Sequence, residues 1–353
     1  MRTPPESGVC MTRVAILGTG LIGTSIALAL RERGKSDVEI VGHDKYVDVA
    51  RKAQQRGALH QVAHTAAEAV RGSDLVILAV PPLAIEKLMA EIASALGPDT
   101  VVTDTGSTKA EVLRWAASLL PYPEHFVGGH PMAGKTTFGP DAAEPGLFDG
   151  ARYVIVPAVN SSERAVTTVV NLAETVGAKP MYMDAAEHDS YAAAISHMPM
   201  MAAVALFSME RASEAWPELS AMAAGGFRDM TRLSGTDPAM AFDIAVTNRQ
   251  NISHWLERFA STLLDLRDRI NDVDNEGDLY KLLAATEFEH TGFRNGIVGR
   301  EEKVGADLSE VGAFSFSDFL AGGWVSEKLR EVTKDSESRL KALEEHDRNR
   351  RNV

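Results

Sequence analysis

The chain has 353 residues, 45% hydrophobic and 24% charged, the composition of a globular protein long enough for two domains. Its formal net charge of −13 argues against a nucleic-acid binder or a membrane-surface protein, both of which need a basic face; no uninterrupted apolar run reaches the about 18 residues of a membrane span. An anionic small molecule can still bind where local arginines or helix N-termini outweigh the overall field.

Residues 1–12 lack the apolar core of a signal peptide and read as a flexible tail. They hold Cys10, the sole cysteine, so neither a disulfide framework nor a cysteine metal site can form within one chain, and a reducing cytoplasm fits. From residue 13 the chain alternates. "RVAILG" (13–18) reads as a buried strand and "TSIALALRERG" (24–34) as a helix closed by Gly34. Further strands are expected at 39–44, 74–80, 100–104, 125–130 and 152–157, with helices between several of them, as at 84–96 and 108–120. Such alternation predicts a Rossmann-type α/β domain with a mostly parallel sheet over 13–185.

After about Ala185 the composition turns helical. Residues 188–212 are rich in alanine and methionine, interrupted only by Pro199. Residues 237–270 open with Asp237 as N-cap and Pro238 at the first helical position, and read as one long helix. Its apolar positions Ile252, Trp255, Phe259, Leu263, Leu266 and Ile270 step by three or four. This predicts an all-helical domain over 186–273. Its apolar faces suit either ordinary core packing or a homodimer interface. Residues 274–353 form a C-terminal extension of unassigned fold, with 327–353 read as a solvated helix that frays.

"GTGLIG" (18–23) follows the first strand and opens a helix. Gly18 permits a tight turn, Gly20 lets backbone approach a pyrophosphate, and Gly23 lets helix and strand pack closely. Leu21 and Ile22 start the helix, whose free N–H groups face the phosphates. Asp44 follows Gly23 by 21 residues, where a carboxylate accepts ribose hydroxyls and repels a 2′-phosphate. This favours NAD over NADP, although Lys45 beside it leaves strict preference open. The plainer readings are a structural turn and a solvated aspartate. In "AVPP" (79–82), Val80 and Pro81 fall on a loop expected to pass the cofactor, or simply to turn.

"TDTGSTK" (103–109) also leaves a strand and enters a helix. Thr105, Ser107, Thr108 and the helix amides can hold a nicotinamide or a substrate hydroxyl; the plainer reading is capping by Ser107 or Thr108. "GGHPMAG" (128–134) comes off another carboxyl end, the edge where open parallel sheets bind ligands. Gly128 and Gly129 are expected to let the backbone turn, and Pro131 to limit His130. With an ordinary pKa of about 6.5, His130 suits proton uptake.

Taken together, these motifs resemble a known family. GxGxxG, the strand-end Asp, D-x-G-S-x-K, H-P-x-A-G, S-H-x-P and F-R-D-M-T-R…D-P-x-M occur in order over roughly residues 12–270. The combination resembles the prephenate/arogenate dehydrogenases of tyrosine biosynthesis. The resemblance implies a Rossmann domain followed by a helical dimerising domain, with NAD as cofactor and no metal. It implies oxidative decarboxylation, the ring becoming aromatic as carbon dioxide leaves. The acceptor for the 4-hydroxyl falls on His130 and the assisting serine on Ser107. The arginine that holds a substrate carboxylate falls on Arg232, where a guanidinium pairs bidentately. Asp229 is placed at i, i+3 to orient Arg232, or pairs on the surface as Arg228 does. His197 matches the family's helix histidine and faces either the substrate or the core. Two departures stand out. Met200 replaces a second histidine, and Ala241 replaces a tryptophan, of some members. Both lie near the substrate's side chain in those members, so prephenate against arogenate, and feedback by tyrosine, stay open.

Two other readings compete. A β-hydroxyacid-type NAD dehydrogenase places a catalytic lysine on a helix of its second domain, and no lysine occurs between Met181 and Asp278. A non-catalytic NAD-sensing Rossmann protein would not need Ser107, His130 and Arg232 to converge.

Overall fold

The computed structural model describes residues 12–34, 38–135 and 137–295. The first half runs β1 (Thr12–Leu17), α1 (Leu21–Arg33), β2 (Val38–His43), α2 (Val47–Gln55), β3 (Gln61–Val62), α3 (Ala66–Val70), β4 (Leu75–Leu78), α4 (Pro82–Ile92), β5 (Val101–Asp104), α5 (Ala110–Leu119), β6 (Phe126–Pro131), β7 (Arg152–Pro157), α6 (Glu163–Thr175) and β8 (Lys179–Tyr182). The strands form one sheet in the order β3-β2-β1-β4-β5-β6-β7-β8.

The near-continuous apolar strands follow from burial on both faces. Val14 and Ile16 of β1 point into one core with Ile26, Ile40, Ile77 and Leu172. The alternate residues Ala15 and Leu17 point into the other, with Val41, Leu78, Met89 and Trp115. All neighbouring strands are parallel except β6 and β7, where Gly128 pairs with Val156 and His130 with Val154. A parallel return needs a helical crossover. Between β6 and β7 the described residues form only a 3₁₀ turn at Pro140–Ala142, and the chain comes back antiparallel.

The expected α/β domain with a mostly parallel sheet is therefore the observed one. The strands β3 and β8 were not anticipated. In addition, Gly128 and Gly129 do not form a turn. They lie within β6, without positive φ, and His130 is a strand residue.

The helical half contains α7 (Ala185–Ala192), a π-helical turn at Ala193–His197, α8 (Met198–Arg211), α9 (Trp216–Met222), α10 (Gly225–Thr231), a 3₁₀ turn at Arg232–Gly235, α11 (Pro238–Thr247) and α12 (Arg249–Asn271). Proline lacks the N–H that α8 would otherwise return to the preceding turn, and the ladder widens just before Pro199. The stretch 237–270 is two helices rather than one. Asp237 does cap the first, accepting from Met240 N at 2.9 Å, but the helix breaks at Asn248, with φ −125° and ψ 32°. A small apolar cluster of Ala193, Met200, Ile244 and Ile252 ties these helices together.

The run Ala185–Arg211, 27 residues with mean hydropathy 1.5, is long and apolar enough by length and composition to cross a membrane. One such helix is weak evidence of a span, because a core helix passes the same test, and the expectation drawn from uninterrupted apolar runs is not overturned. The run's polar residues His188, Asp189 and His197 are buried against α5, β6 and Asn248, which ties it into the protein.

Residues 12–272 belong to one compact unit, and a second begins at Val273. Of the C-terminal extension, α13 (Glu276–Arg294) is described. The expected charged helix over 327–353 lies outside the described residues.

Candidate active site

The glycine-rich turn joins β1 to α1. Gly18 has φ +93°, and a Cβ there would strike the Ala79 carbonyl and Val80. A Cβ on Gly23 would strike the Gly18 carbonyl, so helix and strand pack at a distance only glycine allows. Gly20 differs from both. A Cβ there would meet nothing within 4 Å, so its backbone faces open space. No side chain caps α1 at Gly20, and its first turn carries no acidic residue. That leaves the Leu21–Gly23 end of the helix available to an anion.

Asp44 follows β2 at the same edge. Its Oδ2 accepts from Thr19 N at 2.8 Å and its Oδ1 from Tyr46 N at 3.0 Å. The carboxylate thus braces the glycine turn. It has about four lone-pair sites, so acceptor capacity remains for ribose hydroxyls. Lys45 reaches over the Tyr46 ring, its Nζ 5.5 Å from the centroid. Val80 lies against Gly18, Pro81 precedes the first turn of α4, and Thr105 N donates to Leu78 O at 3.1 Å. The turn, the open helix end and the strand-end carboxylate fit a dinucleotide.

The second cluster lies at the ends of β5 and β6. Asp104 ends β5, and its Oδ2 accepts from Gly106 N at 2.8 Å and from Lys109 Nζ. Its Oδ1 accepts from Gly129 N at 3.1 Å. Both members of the Asp104–Lys109 ion pair are fully buried. A Cβ on Gly129 would come within 2.6 Å of the Asp104 carbonyl and 2.9 Å of the Tyr153 hydroxyl. The glycines before His130 therefore serve close approach of β6 to β5 and β7.

His130 Nδ1 lies 2.9 Å from His188 Nε2, and His188 Nδ1 lies 2.8 Å from Asp189 Oδ1. Asp189 also accepts from the first amides of α5, Lys109 N at 2.7 Å and Ala110 N at 2.9 Å. The capping expected of Ser107 or Thr108 is therefore done by Asp189. Thr108 instead meets Thr247 at 3.0 Å, and the half-buried Ser107 hydroxyl makes no hydrogen bond among the described residues.

Asn248 sits at the break between α11 and α12 for a reason. Its Nδ2 donates to Asp189 O at 2.7 Å and lies 3.1 Å from His197 Nδ1. His197 is 1% exposed, and its Nε2 is sealed from solvent without a hydrogen-bond partner among the described residues. The Ser107 main chain lies beside it. Burial pushes His197 down to about 4, against a smaller pull from Asp189. Burial, with His188, Lys109 and His197 nearby, holds His130 well below the usual imidazole range.

Arg232 is exposed, at the start of the turn that packs along α8. No hydrogen bond or ion pair joins it to Asp229 or to the histidines among the described residues. The expected i, i+3 pair is absent because Arg232 has already left α10 for the 3₁₀ turn. Met200 is buried in the apolar cluster, and Ala241 packs against it. Sequence reasoning missed His188, Asp189 and Asn248, and gave no role to Asp104 and Lys109. Asp104 and Lys109 are fixed letters of D-x-G-S-x-K; the other three carried no local signal.

Both halves of the chain match known proteins. Residues 26–182 match the family model described as prephenate dehydrogenase, nucleotide-binding domain. Residues 184–285 match prephenate dehydrogenase, dimerization domain. The chain is 34% identical over 265 residues to a prephenate dehydrogenase of Bacillus subtilis, covering 74% of this chain and 71% of that protein. It is 33% identical over 266 residues to a cyclohexadienyl dehydrogenase of Zymomonas mobilis, covering 74% and 90%. Among solved structures, it resembles prephenate dehydrogenase from A. aeolicus in complex with hydroxyphenyl propionate and NAD+ (TM-score 0.75, 28% identity, 81% of this chain and 100% of that one). It also resembles Synechocystis arogenate dehydrogenase (TM-score 0.67, 27% identity, 81% and 100%). The chain belongs to the prephenate dehydrogenase family.

Proposed function

We infer that the chain carries out NAD-dependent oxidative decarboxylation of prephenate, arogenate or both, with His130 as the proton acceptor. The observation that carries this reading is the buried line His130–His188–Asp189, set at the same sheet edge as the open glycine turn. When bound, NAD supplies the acceptor for the hydride on the ring carbon that bears the hydroxyl. The protein handles the proton. As that hydroxyl becomes a carbonyl, its O–H bond breaks and His130 takes the proton. The ring carboxylate then leaves as carbon dioxide, and its bonding pair completes the aromatic ring. The proton lent to His130 returns to the phenolate oxygen, so atoms and charge balance without a metal. Ser107, with no hydrogen bond among the described residues, is free to bond the same hydroxyl.

Arg232, an exposed guanidinium, supplies the positive charge that an anionic substrate needs on a chain of net charge −13. With Met200 and Ala241 apolar, that part of the helical half offers neither the histidine nor the tryptophan of some relatives, so the choice between keto-acid and amino-acid side chains rests elsewhere. A homodimer built through the helical half and a cytoplasmic setting complete the reading.

The test is initial rates with prephenate and with arogenate, each with NAD and NADP. Turnover of at least one cyclohexadienyl acid with NAD is expected, with NADP poorer because of Asp44. Tight NAD binding with no turnover of either acid would instead favour a sensor.

A further inference from the structure

The hydrogen-bond partners of the two buried histidines fix which nitrogen of each carries a proton. Asp189 already accepts two main-chain N–H groups, from Lys109 and Ala110, so its carboxylate can only accept from His188. Neutral His188 therefore holds its single proton on Nδ1 and presents a bare Nε2. His130 Nδ1 must donate to that atom. The remaining nitrogen of neutral His130, Nε2, then carries a lone pair. It has no hydrogen-bond partner among the described residues, and unlike His197 Nε2 it is not sealed from solvent.

Asp189 acts on His197 as well, through its main chain. Only an N–H can face the Asp189 carbonyl, so the Asn248 amide must point its nitrogen there. The second N–H of that amide then faces His197 Nδ1, which accepts. Neutral His197 accordingly carries its proton on Nε2, the buried atom beside the Ser107 main chain that lacks a partner.

We propose that Asp189, acting through His188 and Asn248, sets His130 and His197 to opposite tautomers, His130 Nε2 as acceptor and His197 Nε2 as donor. His188, Asp189 and Asn248 are positioning residues, since none need touch the substrate. The proposal rests on the reading of His130 as proton acceptor. It adds that the acceptor is created by a carboxylate two residues along a hydrogen-bonded chain. It also fixes the His197 proton on the nitrogen that lies beside the Ser107 main chain.

The test uses the full chain with ¹⁵N-labelled histidine and no substrate, recording long-range ¹H–¹⁵N correlations near neutral pH. In the native protein the expected pattern is a protonated Nδ1 on His130 and a protonated Nε2 on His197. In Asp189→Asn the amide can donate to His188 Nδ1, reversing that ring and leaving His130 protonated on Nε2. The expected result is a kcat lower by ~10²–10⁴-fold, with the Kd for NAD unchanged within about twofold. Should Asp189→Asn fail to fold for want of its cap on α5, a second pair decides. His188→Gln keeps a carbonyl oxygen to accept from His130 Nδ1, and His188→Leu does not. His188→Gln is expected to retain at least about tenfold more kcat than His188→Leu.

A native His130 protonated on Nε2, an Asp189→Asn variant with unchanged tautomers and kcat, or equal activity in the two His188 variants would overturn the proposal. The opposite tautomers without turnover of either cyclohexadienyl acid would sink the reaction assigned above and leave the tautomers standing.

Discussion

His130 need not lose a proton before it acts. Burial, and the neighbouring His188, Lys109 and His197, disfavour its charged form, so its pKa lies well below the usual value of about 6.5. The sign follows directly. A base with a lowered pKa stays unprotonated to lower pH, and activity fades only as pH falls through that lowered value. The pH profile of kcat/KM reports the free enzyme, so its acid limb is expected clearly below 6.5. An acid limb centred at 6.5 or above would mean that the base is solvated, and would remove His130 as placed here. The same burial explains why residue-level reading reached only part of the site. His130 and Ser107 stand in short motifs at strand ends, where position alone suggests a ligand. Asp189 sits in an unremarked "HDS" and Asn248 in "TNRQ". Their roles depend on partners 80 and 59 residues away in sequence, and no local pattern encodes such a contact. Where the helix α5 begins, Ser107 and Thr108 look like caps because they are near in sequence. Asp189 takes the role because a charged acceptor meets two amides at once.

At the scale of elements, the ends of β5 and β6 are locked together by one buried ion pair. Asp104 holds Lys109, the turn amide of Gly106 and the β6 amide of Gly129, so three elements share one carboxylate. Removing one partner of a buried pair leaves an uncompensated charge and costs about 3–5 kcal/mol. Lys109→Met is therefore expected to lower the unfolding free energy by about that amount, measured by denaturant titration. The double variant with Asp104→Asn should recover part of it, because no charge is then left unpaired. A loss below about 1 kcal/mol in Lys109→Met would show that the pair does not anchor the edge. The strands around this lock were legible because a doubly covered sheet demands short apolar runs, as in "LVIL" of β4. The two strands that escaped notice lack such runs: β3 has two residues, and "KPMY" of β8 is only half-buried or exposed. The break at Asn248 was equally invisible. Helical periodicity continues on both sides of it, and what ends α11 there coincides with a side chain called away to Asp189 and His197.

For the whole molecule, the question is what covers the apolar face of the helical half. The stripe along α12 starts buried at Ile252, 5% exposed, but Leu263 is 49% exposed and Ile270 59%, with Leu264 beside the stripe at 52%. Met230 and Phe242, on α10 and α11, are 65% and 61% exposed. Monomeric globular proteins seldom leave large contiguous apolar patches to water, since each Å² kept exposed forgoes about 25 cal/mol. The dimerization-domain match spans all these residues. A second copy of this chain is the occupant that both facts support, and a two-fold dimer would bury the same stripe twice. Sedimentation of the native chain is expected to show a particle of twice 38.0 kDa. Leu263→Glu combined with Ile270→Glu places two carboxylates on each copy of that stripe, where burial would leave them unpaired. The variant is expected to sediment at 38.0 kDa, and its melting temperature should lose the concentration dependence that a dimer shows. If it remains a dimer with unchanged melting, the α12 face is not the interface, and the exposed residues of α10 and α11 become the next surface to charge.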